Sequence, residues 1–261
     1  MTVKVALVTG SARRIGAEIV RELHQSGLNI IIHYHRSEAE ARHLFDTLEM
    51  IRPGSAKLAK FDLLEIDQMP AFAEQVLQCY GRLDVLVNNA STFYPTMQTT
   101  AQQWDDLMGV NLKAPYFLSQ AFASALSSTR GNIVHLCDVN AFKVKRQYEV
   151  YCVAKAGLAA LTKQQANQWA PSIRVNAVAP GLTLPPEGAA TVDPFDYQQM
   201  ITHIPLQKSA TPVDIAAAVR FLALEAGHVT GQILEVDGGG CLAESLKPWP
   251  TRRFCCSAGK P

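Results

Sequence analysis

Seven short apolar runs punctuate the chain: Val3–Val8, Leu28–Tyr34, Ala56–Phe61, Val85–Val87, Asn132–Leu136, Arg174–Val178 and Gln232–Val236. Several are nearly continuous in Val, Ile and Leu. A strand with one wet face alternates apolar and polar positions, whereas a strand covered on both faces need not. The runs therefore predict a parallel sheet buried on both sides. The stretches between them carry a different period. Ile15, Ile19 and Leu23 recur every four residues and line one side of a helix. Met69 to Tyr80, Gln102 to Leu126, Tyr151 to Trp169 and Val213 to Leu224 also read as helices.

Strand and helix alternate along the whole chain, which implies right-handed crossovers between parallel strands. The fold class expected is α/β: a single Rossmann-type, doubly wound parallel sheet of seven strands with helices on both faces. The 261 residues suffice for one such domain, expected over 1–246. Two segments break the rhythm. Leu182 to Ala210 holds Pro185, Pro186, Gly188, Pro194 and Pro205 and is too long for an ordinary connection, so it is expected to be a substrate lid. Residues 247–261 lack an apolar period and are expected to form a flexible tail.

Composition mainly excludes. A net charge of +1 gives no reason to expect nucleic acid or a membrane surface. No apolar run approaches the roughly 20 residues that span a bilayer. The chain opens on a strand pattern without a secretory signal, so a cytoplasmic location is expected. Six scattered cysteines form no C-x-x-C pair and no zinc-ligand spacing. They are expected to be reduced thiols, and no metal is expected.

The candidate chemistry lies at the carboxyl ends of the strands, where open α/β sheets bind ligands. The first strand runs into Thr9-Gly10-Ser11-Ala12-Arg13-Arg14-Ile15-Gly16 and then directly into a helix. A tight turn at a helix N-terminus offers backbone N–H groups and the positive end of a dipole, which suits a pyrophosphate. Gly10, Arg14, Ile15 and Gly16 are its candidate contacts. The second strand ends in His35-Arg36-Ser37, where an NAD site usually carries an acid. A guanidinium with short donors suits a 2′-phosphate instead, so NADPH is the expected cofactor. Asp62-Leu63 and Asn88-Asn89-Ala90 follow the third and fourth strands. Their short polar side chains are expected to touch adenine and ribose.

Tyr151 and Lys155 stand one helical turn apart. An ammonium near a phenol is expected to lower its pKa and make it a competent proton donor. The order of the glycine turn, Asn88-Asn89-Ala90, Asn111, Tyr151 with Lys155, Pro180-Gly181 and Val236-Asp237-Gly238-Gly239 resembles the short-chain dehydrogenase/reductase superfamily over residues 3 to about 243. That resemblance implies a catalytic group of Asn111, Tyr151 and Lys155, cofactor contacts at Pro180 and Gly181, and a homotetramer packed through two long helices. Two positions depart from the superfamily pattern. Asp138 stands where a serine is usual, and Arg14 where a glycine is usual. With His33-Tyr34-His35-Arg36-Ser37, Asn88 to Thr96 and Ala114-Pro115-Tyr116-Phe117-Leu118, these departures resemble the pteridine reductases.

This narrower resemblance implies reduction of a dihydropterin or dihydrofolate. The pterin would stack between nicotinamide and Phe93, Ser91 and Arg14 would hydrogen-bond pterin and cofactor phosphate, and Tyr197 of the lid would contact substrate. Tyr151 would donate the proton with Asp138 beside it. Two other readings stay open: a generic carbonyl or 3-oxoacyl reductase, and a catalytically idle cofactor-sensing protein.

Overall fold

The computed structural model describes residues 2–185 and 192–242. Pro186, Gly188 and the 247–261 tail, with Cys255 and Cys256, lie outside the described residues. Seven strands form one parallel sheet: β1 (Val5–Val8), β2 (Asn29–Tyr34), β3 (Ala56–Lys60), β4 (Val85–Asn88), β5 (Asn132–Leu136), β6 (Arg174–Pro180) and β7 (Ile233–Val236). Their spatial order is β3-β2-β1-β4-β5-β6-β7. The chain winds outward from β1 in one direction and, after β3, returns to continue from β4 in the other. The reversal opens a crevice at the carboxyl ends of β1 and β4, whose register pairs Val8 with Val87.

The period-2 geometry of a strand sends alternate side chains to opposite faces. Ala6, Val8, Ile30 and Ile32 meet α1 (Arg14–Gln25), α2 (Glu38–Ile51) and α8 (Pro212–Arg220) on one face. Val5, Leu7, Ile31 and Ile133 meet α3 (Met69–Tyr80) and α5 (Ala114–Ser128) on the other. Both faces are covered, which explains why the strands read as continuous apolar runs. Burying one such Leu, Ile or Val side chain contributes about 1.5–3 kcal/mol, so the two layers hold the sheet rigid beneath the crevice.

The first run starts later than its apolar pattern, at Val5, because Val3 is 47% exposed. Two helices lie where none was expected. One is α2, which buries Ala41, Leu44 and Leu48. The other is α7 (Pro194–Thr202), which begins on a proline inside the lid segment. The long helix expected over Gln102–Leu126 is α4 (Ala101–Met108) and α5, joined by a π-helical turn, Gly109–Lys113. The helix after β5 is α6 (Glu149–Trp169), beginning two residues before Tyr151. Among the described residues no helix is long and apolar enough to cross a membrane.

Candidate active site

The turn after β1 is held from three sides. Its Gly10 has φ +58°, a conformation that favours glycine, and a Cβ there would lie 2.9 Å from Ala90 Cα. The Gly10 N–H donates to His33 Nδ1 (3.0 Å) and the Ser11 N–H to the His33 carbonyl (2.9 Å). Because Nδ1 accepts, the ring proton sits on Nε2, which donates to the Phe61 carbonyl at 3.1 Å. His33 is buried, and burial lowers its pKa to about 4, so the ring stays neutral and keeps this tautomer at physiological pH. From the β4 side, Asn89 Nδ2 donates to the carbonyls of Thr9 (2.8 Å) and Gly10 (3.1 Å), while Thr9 Oγ1 accepts the N–H groups of Asn89 and Ala90. Asn88 points elsewhere. Its side chain is buried and donates to His135 Nδ1 (3.1 Å) and Ser119 (3.2 Å), so it braces the core beneath the crevice instead of lining it as expected.

Those bonds consume the N–H groups of Gly10 and Ser11. The helix end that follows is open: no side chain caps α1 and no acid lies in its first turn. Gly16 lies against the turn, where a Cβ would fall 2.6 Å from both Asn89 Nδ2 and the Gly10 carbonyl. An uncapped helix N-terminus cradled by glycine fits the pyrophosphate of a dinucleotide. Arg14 holds φ +56°, a left-handed conformation costing a non-glycine residue about 1–2 kcal/mol. Its guanidinium donates to the Pro185 carbonyl at 2.9 Å and so joins the turn to the lid segment.

Beyond β2, His35 Nε2 stands 3.5 Å from an Asp62 carboxylate oxygen, and Asp62 also accepts the Leu64 N–H. Arg36 is exposed, and Ser37 occupies the N-cap of α2 without capping it. Glu38, which follows Ser37 in the chain, is engaged by Arg42 (3.0 Å) and Lys60 (3.4 Å). Leu63 is buried among the apolar residues behind β3. Pro180 closes β6, and Gly181 follows where a Cβ would fall 2.6 Å from Asp237 Cβ. Glu235, Asp237 and Cys241 bring potential ligand atoms within 4.8 Å of one another. The Asp237 oxygens, however, already accept the N–H groups of Gly239 and Cys241 and brace a turn.

Tyr151 and Asp138 meet directly. The phenol donates to Asp138 Oδ2 at 2.6 Å, and Asp138 Oδ1 accepts from Asn140 N (2.7 Å) and Nδ2 (2.6 Å), which fixes the carboxylate. Lys155 is buried; its Nζ donates to the Leu136 carbonyl at 2.8 Å and lies 5.7 Å from the centre of the Tyr151 ring. Burial first, and the Asp138 charge second, push the Tyr151 phenol well above its ordinary pKa, against a smaller opposite pull from a Ser91 hydrogen bond. The ammonium does not lower it, contrary to the expectation from spacing alone. Desolvation and the Asp138 charge act in the same direction, and the phenol keeps its proton at neutral pH.

Asn111 sits in the π-helical turn, wholly buried. It accepts from Ser91 Oγ (2.6 Å) and donates to the Thr92 and Leu107 carbonyls (both 2.9 Å), which ties the Ser91–Phe93 loop to the helix. Phe93 meets the Tyr151 ring edge-on (4.8 Å between centres) and stacks on Tyr148 at 4.6 Å. The Tyr197 hydroxyl donates to the Thr183 carbonyl at 2.7 Å, so this residue braces the two sides of the lid segment. Sequence reasoning missed three residues of this region: Tyr148, Lys145 and the clamping role of His33. Tyr148 was detectable, since it precedes Tyr151 by one helical step of three.

A nucleotide-type turn, a doubly wound sheet and a Tyr–Lys pair at its carboxyl edge define an oxidoreductase. A family model described as Enoyl-(Acyl carrier protein) reductase matches residues 10–240, and the chain belongs to the short-chain dehydrogenase/reductase superfamily. Pteridine reductase 1 of Leishmania tarentolae is 33% identical, over 94% of this chain and 98% of that protein. The 3-oxoacyl-[acyl-carrier-protein] reductase FabG of Staphylococcus aureus (strain N315) is 34% identical, over 90% and 97%. Acetoacetyl-CoA reductase of Acinetobacter sp. (strain RA3849) is 35% identical, over 90% and 97%.

Proposed function

We propose that the protein is an NADPH-dependent pteridine reductase, converting a dihydropterin or dihydrofolate to its tetrahydro form. The observation that carries this reading is the 2.6 Å bond between the Tyr151 hydroxyl and the Asp138 carboxylate. Ketone and ring-imine reduction each take one hydride and one proton; a serine hydroxyl beside the tyrosine only hydrogen-bonds the reacting oxygen, whereas a carboxyl there can itself take up a proton and pass it on toward a ring nitrogen. Tyr151 holds that proton, Asp138 fixes the hydroxyl's direction and offers a route for its replacement, and Lys155 stands behind the phenol where the nicotinamide ribose would lie. Phe93, with Tyr148 stacked on one face, would turn its other face to a flat heterocycle. Asn111 and Ser91 keep that loop in place.

NADPH, when bound, supplies the hydride. Gly10, Ile15, Gly16 and the open end of α1 would hold its pyrophosphate. Asp62, Leu63, Asn89 and Ala90 would border the adenosine, and Pro180 and Gly181 the nicotinamide end. His35, Arg36 and Ser37 would read the 2′-phosphate, with Glu38 already neutralised by Arg42 and Lys60. Replacing Arg36 by Ala is therefore expected to raise the KM for NADPH about tenfold to a hundredfold, the value of one charged hydrogen bond. The KM for NADH should stay within about twofold on the same scale. A parallel rise for both cofactors would remove Arg36 from phosphate reading.

The catalytic unit we infer is residues 1–246, with the lid at 182–210, in the cytoplasm. Homotetramer assembly is supported by an apolar recess between α5 and α6 lined by Leu112, Tyr116, Phe117, Ala160 and Leu161. The test of function is a substrate panel with NADPH. Turnover is expected with dihydrobiopterin and dihydrofolate, and only weak activity with acetoacetyl thioesters. The reverse order would make the protein a 3-oxoacyl reductase; cofactor binding without turnover on either class would make it idle.

A further inference from the structure

Between Ala141 and α6 runs a loop that carries Lys143, Lys145 and Arg146. Lys143 is engaged with the Gly240 carbonyl. Lys145 is different. Its Nζ lies 5.0 Å from the centre of the Phe93 ring and 4.7 Å from that of Tyr148, and the residue is half-buried. Among the described residues it forms no ion pair, although the Asp138 charge acts on it from nearby. Burial pushes its pKa down, as expected for an ammonium losing water without a paired anion.

Ring faces stabilise such a cation by only about 0.5–2 kcal/mol, and they leave its N–H donors without strong acceptors. A partly desolvated charge of this kind is costly unless something pairs it. Its position says what that is. Phe93 touches both Lys145 and Tyr151, so the ammonium stands one ring's breadth from the proton donor, on the substrate wall. A pterin reduced at Tyr151 would carry its 6-substituent next to the bonds being reduced, which brings the tail within reach of this wall.

We propose that Lys145 is a specificity-determining residue that selects substrates whose tail bears an anionic group, a carboxylate or a phosphate, over those with a neutral polyol tail. The inference rests on the pterin reading of the same site.

The test compares kcat and KM at saturating NADPH for dihydrofolate (carboxylate tail), dihydroneopterin monophosphate (phosphate tail) and dihydrobiopterin (neutral tail). The proteins are the natural chain, Lys145→Gln, Lys145→Arg and the charge control Lys57→Gln, at an exposed position on β3. Lys145→Gln should raise KM for at least one anionic substrate about tenfold relative to dihydrobiopterin, about 1.4 kcal/mol, without a matching change in the kcat ratio. Lys145→Arg and Lys57→Gln should preserve the natural preference. The anionic substrate that responds identifies the group read. The natural chain supplies an independent check should Lys145→Gln fail to fold: its KM should be lower for at least one of the anionic substrates than for dihydrobiopterin. An equal change of KM for all three substrates in Lys145→Gln, or a natural chain with no lower KM for either anionic tail, would overturn the proposal and leave Lys145 as a prop for two rings. Failure of the pterin reading looks different: no pterin is turned over by any of the proteins, and this inference falls with it.

Discussion

Tyr151→Phe is expected to lose pterin turnover by a factor on the order of 10² to 10⁴, the usual worth of a positioned general acid. The phenol is the group beside Phe93 that combines a transferable proton with a fixed direction, set by Asp138 at 2.6 Å. Burial and the Asp138 charge keep that proton in place at neutral pH, so the residue enters the reaction as an acid. Removing the oxygen leaves the ring's packing against Phe93 and α4 intact, and Asp138 Oδ1 retains both bonds from Asn140. The fold and the dinucleotide cradle should therefore survive, with NADPH affinity within about threefold, under 1 kcal/mol. The measurements are single-turnover reduction at saturating NADPH and a fluorescence titration of the cofactor. Unchanged reduction would mean that the proton reaches the substrate from water and that Tyr151 only shapes the groove.

The second large effect is expected at Gly16→Ala. The added methyl would lie 2.6 Å from Asn89 Nδ2 and from the Gly10 carbonyl, and 2.8 Å from Ser11 Cα. Two of those contacts are backbone, and the third is a side chain already holding the Thr9 and Gly10 carbonyls. Nothing there is a flexible tip that can swing aside. The start of α1 must move off the turn, breaking the Asn89 bonds. Overpacking costs about 1–3 kcal/mol, and each lost hydrogen bond adds about 1 kcal/mol. A loss of about 3–5 kcal/mol is expected in denaturant unfolding. NADPH should bind about a hundredfold more weakly, because the N–H groups of the first turn no longer converge on one phosphate. Gly27→Ala is the control. Gly27 has φ +93° with nothing within 4 Å of an added Cβ, so the variant carries backbone strain alone and should bind NADPH normally. Normal binding in Gly16→Ala would mean that the dinucleotide does not lie over this turn.

The strands and the sheet class were legible in the sequence because burial on both faces leaves continuous runs such as Ile30 to Ile32. Two helices were harder to see. In α2 only Ala41, Leu44 and Leu48 are buried, among charged neighbours that dilute the stripe. In α7 the leading Pro194 reads as a breaker, although proline is favoured in a first helical turn. The π-helical turn at Gly109–Lys113 leaves no periodic signature at all, since one extra residue in a turn lies within the noise of any apolar period.

At the site, Tyr151 and Lys155 were legible because they share one helix face. Local spacing could not bring Asp138 to the Tyr151 hydroxyl. That contact closes across a loop of twelve residues, and it was anticipated through family resemblance. The direction of the tyrosine's pKa was misread for a physical reason: sequence shows nearby charges but not the depth of burial, and depth dominates. Asn88 and Asn89 show the same limit. They are adjacent and chemically identical, yet one enters the core and the other crosses the crevice, a difference fixed by the end of β4.

The hydrogen bond from Arg14 to the Pro185 carbonyl couples the turn after β1 to the stretch that follows β6. With a dinucleotide on that turn, as proposed above, a displacement of residues 182–185 would be passed on to its grip.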